Sequence, residues 1–227
     1  MPAHVSERSD PRGTAASGAR AVVVVPTIFE RRALGRLDGP VEISGPGPNA
    51  VRAWAAAATF PRATHLIVAG VAGGLRPTAP IGLARIVSEV RAADGRVAAS
   101  FALATAWRVV GVDRVVATPE EKRILAERTG ADIVDMESHA FVEVAADRGW
   151  RLTIVRGVSD GVDDALPEGL ERLVTPMGGL RPLRTAAFVA RRPTLIPALR
   201  ELGRRTTLAM RSVRAIVEDV RSAHGAA

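Results

Sequence analysis

The chain has no cysteine in 227 residues, which excludes disulfide bridges and thiolate metal sites. Its four histidines, His4, His65, His139 and His224, are scattered. No His-Glu-x-x-His pattern occurs, so no metal site is expected. No apolar run is long enough to span a bilayer. Residues 1–20 are polar and rich in Ala, Gly and Ser. They carry neither the apolar core of a signal peptide nor an Arg-rich amphipathic pattern, and read as a disordered lead into a cytoplasmic protein. Lysine is almost missing. Lys122 stands alone among 31 basic residues, an arginine preference that genome composition by itself would produce.

The formal charge of +7 is a C-terminal property. From Arg181 onward ten arginines face only Glu201, Glu218 and Asp219, so the first 180 residues are neutral overall. A single-stranded nucleic-acid site needs aromatic side chains among its cations for base stacking. That region holds only Phe188, and no nucleic-acid partner is expected.

A hydrophobic content of 47% suits one α/β domain with a sizeable core. Ala21-Val-Val-Val-Val25 has the character of a central strand buried on both faces. Val41–Ser44, His65–Ala69, Ala84–Val90 and Arg114–Ala117 are further strand candidates. Asn49 is placed to cap a helix through Ala58, and Gly130 to stop one over Glu120–Arg128. Alternating strands and helices argue for a sheet covered on both faces. Near the C-terminus, Leu199, Leu202, Thr206, Ala209, Val213, Ile216 and Val220 recur every three or four residues. They form one helix face, with arginines off it. That predicts a terminal helix packed on the domain with a solvated basic face; peripheral contact with an anionic membrane is the sharper alternative. The organisation expected is a lead over 1–20, a domain over 21–192, and a basic amphipathic helix and tail over 193–227.

Two stretches carry the chemistry. Ala131-Asp-Ile-Val-Asp135 leads through Met136 and Glu137 into a helical pattern, and Leu152-Thr-Ile-Val-Arg-Gly-Val158 ends at Ser159-Asp160. Each delivers a carboxylate to a strand end, where open α/β sheets bind ligands. Taken with Gly70-Val-Ala-Gly-Gly-Leu-Arg-Pro-Thr78 and Ile81-Gly82, these stretches resemble in order and spacing the purine nucleoside phosphorylase / methylthioadenosine–S-adenosylhomocysteine nucleosidase superfamily, from Ala21 to Leu166. Thr129-Gly-Ala131, Asp135-Met-Glu-Ser-His139, Leu166-Pro167 and Arg192-Pro-Thr-Leu-Ile-Pro-Ala-Leu199 resemble more narrowly the hopanoid-associated phosphorylase branch.

The resemblance implies an α/β, three-layer fold with a mixed central sheet flanked by helices. It implies cleavage of the N-glycosidic bond of a 5′-substituted purine nucleoside, releasing adenine, with adenosylhopane as the leading specific substrate. It implies a homodimer, and no cofactor beyond phosphate as a candidate co-substrate. Asp160 then protonates the leaving base. Glu137 accepts hydrogen bonds from the ribose hydroxyls, and Met136 packs on the sugar. Glu30, after the first strand, activates water, or else is a helix-start carboxylate on the macrodipole. Arg156 orients Asp160 or lines the site, or pairs with Asp135. Ser159 bonds the base or Asp160, and the amides of Val71, Ala72 and Gly73 form a glycine loop for an anion or the attacking water.

Two departures bear on substrate. Val71 stands where better-known members carry Ser or Thr, so one phosphate ligand is missing; Arg31, Arg32 and Arg76 are candidates to replace it. Residues 117–122 lack the aromatic that stacks on adenine in many nucleosidases. The alternatives are a soluble methylthioadenosine/S-adenosylhomocysteine nucleosidase and a non-catalytic nucleoside-binding domain.

Overall fold

In a computed structural model of the protein, which describes residues 21–101, 106–167 and 191–225, the valine run forms β1 (Val22–Val25). Branched side chains suit an extended backbone, and successive side chains point to opposite faces. Val22 and Val24 enter one core while Val23 and Val25 enter another. The same alternation splits Leu66 and Val68 from Ile67 and Ala69 in β3 (His65–Gly74), and Ile154 from Val155 in β8 (Arg151–Asp160).

The remaining strands are β2 (Val41–Ile43), β4 (Ala84–Arg91), β5 (Val97–Ser100), β6 (Trp107–Gly111) and β7 (Ile133–Asp135). The eight described strands form one mixed sheet, ordered β2-β1-β3-β7-β6-β4-β5, with β8 bridging β3 and β4. The pairings β3–β8–β4–β6–β7–β3 therefore close into a ring. Residues 114–117 are not a strand; the strand lies earlier, at β6, and ends at Gly111.

Helices α2 (Pro48–Ala57) and α4 (Ser138–Arg148) cover one face, contributing Val51, Ala55, Phe141 and Val144 to its core. Helix α1 (Ile28–Leu34) and the terminal α5 (Ile196–Gly225) cover the other, contributing Leu34, Met210, Val213 and Val217. Helix α3 (Pro119–Thr129) closes a third cluster through Leu125 and Ala126. The three-layer architecture agrees with the expected fold class. Of the apolar stripe on α5, Ala209 and Val213 are fully buried against the sheet, joined by Met210 and Val217. No described helix is long and apolar enough to cross a membrane. The lead over 1–20 and the arginines at 181 and 184 lie outside the described residues.

Asn49 does not cap α2. Gly47 occupies that position at φ 81°, and its N–H is taken by Glu137 from across the molecule. Helix α3 starts on a reciprocal Thr118–Glu121 capping box and ends at Gly130 in the left-handed region, as its sequence specifies.

Candidate active site

The expected glycine loop is a strand. Gly70 to Gly73 continue β3 and pair with Arg156, Gly157, Val158 and Asp160 of β8, so the segment is extended strand rather than a loop curled around an anion. The glycines admit side chains from the neighbouring strands. A Cβ on Gly70 would lie 2.7 Å from Glu30 Oε1 and 3.0 Å from Arg156 Nη1; one on Gly73 would lie 3.1 Å from Asp160 Oδ2. Those close approaches require a residue without a side chain.

One end of the site gathers around Gly70. Glu30 sits in the first turn of α1, whose N-cap Thr27 donates Oγ1–H to Glu30 Oε2 at 2.6 Å. The Val71 amide donates to Glu30 Oε1 at 2.9 Å, so it anchors this carboxylate and is not free for water or phosphate. Glu137 follows β7 at the head of α4 and accepts the Gly47 N–H at 2.8 Å. Arg156, fully buried, donates Nε–H to Asp135 Oδ2 at 2.6 Å and Nη2–H to Ser138 Oγ at 3.3 Å. Its Nη1 is buried with no partner. Arg156 thus pairs with Asp135 and does not orient Asp160.

Electrostatics follow from this crowding. Burial pushes the Glu137 carboxyl up to about 7, helped by Asp135 and Glu30 and opposed by Arg156. Burial also raises Glu30, against its hydrogen bonds from Thr27 and Val71. For Arg156 burial works downward, yet Asp135, Glu137 and Glu30 together hold the guanidinium above its ordinary value.

The other end lies four residues further along β8, roughly 13 Å of strand. The register slips at Ser159, from Ala72↔Val158 to Gly73↔Asp160, a bulge of the kind that re-aims a side chain at a strand end. Ser159 Oγ–H donates to Asp160 Oδ1 at 2.7 Å. Lys122 of α3, fully buried, donates Nζ–H to Asp160 Oδ2 at 2.6 Å, and to the carbonyls of Gly161 and Asp164 at 2.7 and 3.0 Å. Along the sequence Lys122 stands out only as a compositional oddity. Its position as the sole lysine was the signal, but nothing local to α3 ties it to a residue 38 positions away.

Met136 is half-buried, its Cε 3.8 Å from where a Gly47 Cβ would be. Ala72 is buried, and its carbonyl lies 3.4 Å from Ser159 Oγ. Arg31 donates to the Gly35 carbonyl, and Arg76 to those of Ala131 and Ala126; Arg32 is exposed. No cluster of three or more metal-ligating side chains occurs among the described residues.

Residues 105–175, which carry Asp135, Glu137, Arg156 and Asp160, match the model of the phosphorylase superfamily. No curated protein matches the chain. Among solved structures, 5′-methylthioadenosine/S-adenosylhomocysteine nucleosidase from Neisseria meningitidis, in complex with methylthio-immucillin-A, is similar in fold. It shows 17% identity and a TM-score of 0.58, over 89% of this chain and 99% of that one. The Helicobacter pylori enzyme of the same name gives 14% and 0.56, over 89% and 99%. Futalosine hydrolase of Helicobacter pylori gives 14% and 0.56, over 88% and 98%. The family match covers residues 105–175, and the chain as a whole has the nucleoside phosphorylase/nucleosidase fold.

Proposed function

We propose that the protein hydrolyses the N-glycosidic bond of a 5′-substituted purine nucleoside and releases adenine. One observation carries the reading. A buried, unpartnered Arg156 Nη1 and Glu30 Oε1 both approach the bare face of Gly70, while Asp160 stands further along the strand that carries Arg156. A polar atom buried without a partner is costly, and a water held between guanidinium and carboxylate would satisfy it. Glu30 takes that water's proton as the oxygen attacks C1′. Glu137 receives the ribose hydroxyls, and its negative charge favours the cationic sugar. Asp160 passes a proton to purine N7, so the base leaves neutral.

Water is favoured over phosphate by charge. Glu30, Asp135 and Glu137 surround one guanidinium whose Nε is already committed to Asp135. A phosphate dianion entering there meets net repulsion, and Val71 offers it no hydroxyl. Adenosylhopane and a homodimer are supported by the motif resemblance alone, and contact with a membrane by the basic face of the terminal helix alone.

The test is to follow free adenine from 5′-methylthioadenosine, S-adenosylhomocysteine and adenosylhopane, with and without phosphate. Release independent of phosphate, lowered about 10²–10⁴-fold by Asp160→Asn, is expected. Unchanged turnover in that variant would sink the enzyme reading, and an absolute phosphate requirement would replace water with phosphate.

A further inference from the structure

Thirty of the chain's 31 basic residues are arginine, and the single lysine is one of its most deeply buried side chains. It touches Asp160. A solvated surface tolerates either cation, whereas this position departs from the rule the rest of the chain follows. The two cations differ chemically: a guanidinium does not release its proton in a protein, and an ammonium does. The three N–H groups of Lys122 have three acceptors, Asp160 Oδ2, Gly161 O and Asp164 O. Two of these are backbone carbonyls, which fix the amine in place whichever way the third proton lies. A buried ion pair is in itself weak evidence for stability, which turns attention to what the pair does.

Resting on the hydrolase reading above, we propose that Lys122 is the positioning residue of the leaving-group site and supplies, through Asp160, the proton that the departing purine takes up. The proton on Nζ moves to Asp160 Oδ2, turning ammonium and carboxylate into amine and carboxylic acid. It passes from there to N7 as the C1′–N9 bond breaks and its electron pair goes to the base. Lys122 ends as a neutral amine with two N–H groups still on Gly161 and Asp164, Asp160 as a carboxylate, and the purine neutral. The water that bonds to C1′ gives its proton to Glu30, and exchange with solvent returns one to Lys122. Ser159 Oγ–H on Oδ1 keeps the carboxyl from rotating. Neighbouring charges are themselves paired, Asp164 with Arg205 at 2.9 Å and Asp163 with Arg123 at 2.7 Å.

The experiment compares two leaving groups on one sugar. 5′-Methylthioadenosine needs its base protonated, whereas 4-nitrophenyl 5-methylthio-β-ribofuranoside expels a phenolate that does not. The variants are Lys122→Met, which removes donor and proton, and Lys122→Gln, which keeps a donor but has no proton to give. In both, the ratio of adenine release to nitrophenolate release is expected to fall about 100-fold relative to the parent. An equal loss on both substrates, or inactivity of both variants on both substrates, assigns Lys122 to holding the fold and overturns the proposal. So does an unchanged ratio. Failure of the parent protein to cleave either substrate would instead overturn the hydrolase reading, so the two failures are distinguishable.

Discussion

Glu137 is a carboxyl held where it is uncomfortable. It is buried beside Asp135 and Glu30, and its folded value of about 7 lies above the ordinary 4.5. The native state therefore binds this proton more tightly than the unfolded chain does. Stability linked to the group is complete below pH 4.5 and is lost as pH rises through 7, by up to about 3 kcal/mol. Glu137→Gln keeps an oxygen for the Gly47 amide and removes the titration. Thermal melts from pH 5 to 8 should show the variant gaining on the parent as pH rises, while adenine release falls. A parallel pH dependence in the two proteins would show that Glu137 ionises without strain.

Contacts between whole elements rest on glycines facing backbone. A Cβ on Gly157 of β8 would lie 2.8 Å from the Ala209 carbonyl of α5 and 2.9 Å from Val213 Cγ2. The carbonyl belongs to a helix that cannot yield locally, so Gly157→Ala should cost about 1–3 kcal/mol. That would be read as a lower denaturant midpoint at unchanged slope. Gly203, also on α5, meets nothing within 4 Å. Gly203→Ala should therefore stabilise by about 0.5–1 kcal/mol through helix propensity. If both substitutions moved the midpoint in the same direction, the packing of α5 on β8 described above would be wrong.

For the molecule as a whole, α5 covers one side of the sheet. Without Ala209, Met210, Val213 and Val217, the apolar side of β1, β3 and β8 would meet water. A chain ending before Ile196 should fail to give a cooperative unfolding transition. The far end of α5 is held by His65, which contacts Thr153 Oγ1 at 2.8 Å and stacks edge-on against His224 at 4.6 Å. Burial, then His224 and Arg151, lower His65 to about 4. Its contribution is present above pH 6.5 and is lost as pH falls toward 4. Amide exchange in the last turns of α5 should quicken over that window more than exchange in the central strands, and His65→Gln should remove the difference.

Much of this was legible along the chain. Val22–Val25, the Gly130 stop and the periodic stripe of α5 are patterns complete within a few residues, where local backbone preference and side-chain period speak directly. Glu137 and Asp160 could be read the same way, as carboxylates at strand ends, whereas Glu30 was reached only through the family resemblance. Contiguous residues also misled: Asn49 looked like a cap because the alternative partner for Gly47, Glu137, is 90 positions away. Residues 70–74 looked like a loop because glycine content does not reveal β8 alongside. The sequence by itself determined which segments extend, which coil, and which side chains bear charge. Only the tertiary structure decided that Arg156 turns to Asp135, that Val71 anchors Glu30, and that Lys122 meets Asp160. Those partners are set by the closing of the strand ring, which joins groups that share no local pattern.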